Sequence, residues 1–148
     1  MRLEWTIIAQ SHAVDRASNA LSIFNILETI NVPAAAPDPS SGTQAGLPLP
    51  FSVIQLWSRG IESGPEQAEA RVRIVAPNGT QLVVVPMTVN FAAGPRVRTI
   101  LNAPAFPYAG LGEYRFETET REGEEWKPIS VTTIVLAKAD PTQPAQPV

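Results

Sequence analysis

Across residues 113–121 every second side chain is charged. Glu113, Arg115, Glu117, Glu119 and Arg121 alternate with Tyr114, Phe116, Thr118 and Thr120. Successive side chains of a strand point to opposite faces, so a strand gathers all five charges on one face and both rings on the other. A helix would scatter them. This period of two recurs along the chain and excludes a helical bundle. Proline works in the same direction: the 15 prolines among 148 residues interrupt long helices.

The turn at Glu122-Gly123 leads into a β-branched stretch, SVTTIVLA, so residues 113–137 read as a hairpin. A second hairpin is expected around Asn78-Gly79, a pair suited to a type I′ turn. Before it, Val72, Ile74 and Ala76 alternate with Arg71 and Arg73. After it, Val83, Val85, Met87, Val89 and Phe91 form an apolar row. Pro86 lies within that row on the opposite parity, which marks an edge strand or a bulge. Further strands are expected at Leu3–Trp5–Ile7, at Phe51–Val53–Trp57 and at Val97–Thr99–Leu101. In the second of these Ile54 and Leu56 make both faces apolar, as in a central strand. Residues 20–30 carry both signals. Ala20, Phe24, Leu27 and Ile30 fit helical spacing, whereas Ile23, Ile26, Thr29, Ile30 and Val32 favour a strand, with or without a bulge. The expected fold is an all-β, antiparallel two-sheet β-sandwich of seven to nine strands.

Residues 1–138 read as one domain. Residues 33–50, PAAAPDPSSGTQAGLPLP, form a proline-rich loop, and residues 139–148 a proline-rich, disordered tail. The chain opens without a signal-peptide pattern and holds no apolar run long enough to span a membrane, so the cytoplasm is the expected location.

The chain resembles a family of small bacterial β-sandwich proteins known as a domain of unknown function. The resemblance runs through LEWTIIAQSHAVD, NALSIFNILETI, the proline-bearing loop, PFSVIQLW, RVRIVAPNGT and GLGEYRFE. Ser22 and Asn25 stand where that family usually has glycine and an acidic residue. The resemblance implies a two-sheet sandwich with no assigned activity and no functional residues to transfer. GLGEYRFE is also similar to the tyrosine corner of immunoglobulin-like sandwiches, with Tyr114 as the corner residue.

Chemistry is sparse. No cysteine and one histidine exclude thiolate nucleophiles and metal sites built on cysteine or several histidines. A net charge of −3 argues against nucleic acid as a partner. Ser11-His12-Ala13-Val14-Asp15 brings three triad residue types together, but a triad is defined in space, and His12 reads as a loop residue. Glu113, Glu117 and Glu119 read as partners of Arg71, Arg73, Arg96 or Arg98 rather than as an acid–base pair. Glu122, Glu124 and Glu125 read as a turn rather than a calcium site, and Asn78-Gly79-Thr80 as a turn rather than a glycosylation site.

These residues point to a chain without enzymatic activity or cofactor. It is expected to bind a protein partner through an edge strand and through loops bearing Phe106, Pro107, Tyr108, Leu47 and Pro48. Charged residues are only 17% of the chain, against about 25% in ordinary domains, which suits a partly covered surface. A homodimer through the proline-bearing edge is a second expectation. The alternatives are a sandwich holding a small apolar molecule or a carbohydrate against Trp57 or Trp126, and a structural component of a phage or secretion assembly. The 101–112 connection also reads as a loop folded over the open end of the sandwich.

Overall fold

The computed structural model describes residues 1–36, 38–39, 46–60 and 66–142. These residues form β1 (Arg2–Val14), β2 (Leu21–Ile26), β3 (Thr29–Val32), β4 (Gly46–Leu47), β5 (Phe51–Ser58), β6 (Gln67–Val75), β7 (Gln81–Asn90), β8 (Arg96–Ala103), β9 (Phe106–Pro107), β10 (Gly112–Glu122) and β11 (Glu125–Lys138). One sheet has the order β2-β1-β5-β8, the other β3-β11-β10-β6-β7, and β4 pairs with β9 alone. Neighbours are antiparallel except β3, which runs parallel to β11. The tail beyond residue 142 and residues 37 and 40–45 of the 33–50 loop lie outside the described residues.

The period-two pattern determines the packing. Along β10, Tyr114, Phe116, Thr118 and Thr120 are buried while Glu113 and Arg115 are exposed. Phe51, Val53, Gln55 and Trp57 of β5 face them from the other sheet. The four rings of Phe51, Phe106, Tyr114 and Phe116 meet at centroid distances of 5.2 to 6.1 Å. Each such pair contributes about 0.5–1.5 kcal/mol beyond its buried area. As expected for a strand apolar on both faces, β5 is interior, between β1 and β8.

A polar layer divides this core. The Gln55 amide donates to Thr118 Oγ1 at 2.8 Å and to Thr6 Oγ1 at 3.2 Å, and Thr99 Oγ1 donates to Gln55 Oε1 at 3.4 Å. Trp57 Nε1 donates to Thr99 Oγ1 at 3.0 Å. On one side lies the large cluster that includes Ile8, Phe51, Val72, Tyr114 and Ile134. On the other are Trp57, Ala70, Val89 and Phe91.

Three sequence expectations change. Residues 20–30 are strand, but β2 and β3 belong to different sheets, and the chain crosses between them at Leu27-Glu28. The Asn78-Gly79 turn is not type I′, because only Gly79 has a positive φ, +85°. Pro77 presets the turn, Gly79 N donates to the Ala76 carbonyl at 2.9 Å, and Gly79 takes the left-handed position. Arg96 and Arg98 stand on β8, in the sheet opposite the β10 carboxylates, so neither pairs across strands with them.

Candidate functional site

The two proline-rich connections meet at one end of the molecule. Gly46 pairs with Pro107 and Leu47 with Phe106. Tyr114 secures the second connection: its hydroxyl accepts from the Ala109 N–H and donates to the Gly110 carbonyl, both at 2.7 Å. Burial pushes the Tyr114 phenol above its ordinary pKa, which keeps it a donor. Phe106, Tyr108 and Leu47, expected at a recognition surface, have buried side chains. Pro107 is half-buried and Pro48 exposed. Their burial has a simple cause. The sheets leave an open end, and an aromatic ring placed there removes more apolar area from water than one left on the loop surface.

Beside this ribbon the sandwich stays open. β7 is the last strand of one sheet and β8 the last of the other. Between them lies a groove of about 590 Å³. Val72, Ile74, Val83 and Val85 wall it from one sheet, Val53 and Leu101 from the other, and Phe106 closes one end. Among its lining residues only Asn102 has a polar side chain, and that amide is engaged by Ser52. A cavity of this size and apolar lining suits an apolar ligand.

Other candidate residues sit elsewhere. His12 Nδ1 is 3.2 Å from Ser52 Oγ, and the Ser52 hydroxyl donates to Asn102 Oδ1 at 2.7 Å. That proton points to an amide, so the imidazole is not placed to withdraw it. Glu119 lies on the outward face of β10, yet only 5% of it is exposed. Arg71 and Arg73 both bind it, Arg73 at 3.0 Å. Burial alone would raise its pKa, but the hydrogen bonds and charges of the two guanidiniums outweigh this and hold the carboxyl below its usual value. Arg73 also lies 3.7 Å from Glu117, which Arg115 binds at 3.1 Å. A carboxylate held ionised this firmly is a poor general acid at neutral pH. Arg71 covers the Trp126 ring at 4.3 Å. Trp57, the other aromatic expected to hold a ligand, is fully buried. Glu122 is bound by Lys127.

No family model matches the chain, and neither a curated protein nor a solved structure matches it. Among the described residues no helix is long and apolar enough to cross a membrane.

Sequence reasoning found β5, β6, β7 and β8 as strands, but neither the β4–β9 ribbon at the end of the groove nor the groove itself. Val83, Val85 and Leu101 read as ordinary core positions. What opens them is the order of strands in two sheets, which alternation along one strand does not encode.

Proposed function

We propose that this chain is a non-enzymatic binding module that takes its ligand in the groove between β7 and β8. One observation carries the reading: the space between the two sheet edges is lined almost wholly by apolar side chains and stays open at about 590 Å³. Apolar surface left open in this way is costly unless something covers it. Absence of catalysis is part of the proposal. It is supported by the Ser52 proton, directed at Asn102, and by the arginine-bound Glu117 and Glu119.

The same proposal takes the two sheets as an immunoglobulin-like sandwich. Support comes from the Tyr114 hydroxyl bonding back to upstream backbone, as in a tyrosine corner, and from Greek-key-like crossing of the chain between sheets. In this reading β7 and β8 face each other across an edge that, among the described residues, no further strand closes.

The test is binding of anilinonaphthalene sulfonate to the folded chain. Ala103 lines the groove. The dye is expected to bind at one site, and Ala103→Phe, which fills the groove, is expected to weaken binding at least tenfold while thermal unfolding stays cooperative. Equal binding by both proteins overturns the proposal.

A further inference from the structure

Four strands end the two main sheets: β2, β8, β3 and β7. An edge strand offers unpaired N–H and C=O groups to any extended chain, and natural sheets blunt such edges with short strands, prolines or kinks. Three of the four are blunted here. β3 has four residues. β7 carries Pro86 opposite Arg71, which leaves no donor at that position. β2 carries Asn25 at φ +54°, and its register with β1 passes from Ala9–Ile26 to Ser11–Phe24 with no Gln10–Asn25 pair. β8 has none of these backbone devices and carries only the charges of Arg96 and Arg98. It runs eight residues, Arg96–Ala103, without proline, glycine or positive φ, and pairs on one side with β5 through all eight. Among the described residues no strand pairs with its other side. Of the two edges that border the apolar groove, β7 and β8, β8 is the one without such a device.

We infer that the ligand of the groove is an extended segment of a partner protein that adds as a fifth strand beside β8. This rests on the binding reading above and names its ligand. Alternate side chains of such a strand enter the groove, where Val53, Val83, Val85 and Leu101 require them to be apolar. The remaining side chains share the outward face with Arg96 and Arg98. Arg98 already donates to the Asn19 carbonyl at 2.6 Å, whereas Arg96 is exposed and, among the described residues, forms no ion pair, with Glu4 the one carboxylate within its electrostatic reach. The segment therefore alternates apolar residues with acidic ones at the Arg96 end. The β8 of a second copy does not fit the site. It keeps Val97 and Leu101 against that copy's own core, so β8-to-β8 pairing would leave the groove empty.

The probe is a synthetic peptide in which valine alternates with glutamate, compared with one carrying proline at its central valine and one carrying lysine for glutamate. Amide hydrogen exchange is followed by NMR on the full chain. The alternating peptide is expected to slow exchange at alternate amides of β8 by about tenfold or more and to displace anilinonaphthalene sulfonate. The proline peptide is expected to do neither, and the lysine peptide to bind several-fold more weakly. Dye binding that no peptide displaces overturns the strand inference and leaves the groove reading standing; loss of both overturns both. Protection of the same β8 amides in the chain alone, as monomer or dimer, also overturns the inference, because the edge is then already occupied.

Discussion

Gln55 of β5 donates its amide to Thr118 of β10 at 2.8 Å, a direct side-chain hydrogen bond between the two sheets inside their common core. The same side chain also engages Thr6 and Thr99. Replacing it with leucine keeps the volume but leaves buried hydroxyls unsatisfied, which costs about 1–3 kcal/mol. Gln55→Leu is therefore expected to lower the urea midpoint, although the substitution is from polar to apolar. A midpoint equal to or above the parent's would show that the polar layer contributes nothing to stability.

Tyr114→Phe removes one oxygen and two hydrogen bonds. The Ala109 N–H and Gly110 carbonyl then lose their side-chain partner. The expected loss is about 1–2 kcal/mol by thermal unfolding, with faster amide exchange at Ala109 as its local signature.

Glu119 links stability to acid. Its folded pKa is lowered, so folding favours the ionised form. That stabilisation is fully present above the unfolded value of about 4.3 and is lost as pH falls through the folded one. Glu119→Gln is expected to cost about 2 kcal/mol at pH 7. The gap between the two proteins should narrow steadily below about pH 5. Denaturant titrations across that range check it; a constant gap would remove Glu119 from the acid response.

Gly112 opens β10 at φ +127°, and a Cβ there would lie 2.9 Å from Pro77 Cβ, in the β6–β7 turn. Gly112→Ala meets both an unfavourable backbone and a ring with little room to move. A loss of about 1–3 kcal/mol is expected. Gly79, at φ +85° with nothing within 4 Å of its Cβ position, is the control. Gly79→Ala should cost less, since it carries backbone strain alone.

Much of this fold is legible residue by residue. Tyr114 and Phe116 alternate with charges, so their inward placement follows from the pleat, and Ile54 beside Val53 marks β5 as interior. The Arg71 and Arg73 partners of Glu119 are visible as charges on facing strands. The break at Leu27-Glu28 is not legible, because β2 and β3 carry one continuous β-branched signal while the sheet switch depends on where Ile8 and Glu28 place their carbonyls. Nor does the type of a side chain reveal its depth. Phe106 and Tyr108 stand in a proline-bearing connection, yet their rings are buried, and Glu119 alternates with inward residues, yet two guanidiniums close over it.

The parallel pairing of β3 with β11 has a consequence for biosynthesis. Among the described residues Thr29–Val32 pairs only with β11, whose partner residues Val135–Lys138 lie more than a hundred positions later in the chain. During translation β3 leaves the ribosome well before β11 exists to pair with it. Contacts so distant in sequence form late and slowly. Ile30 and Val32, buried in the folded chain, therefore stay uncovered by β11 until that strand has been made.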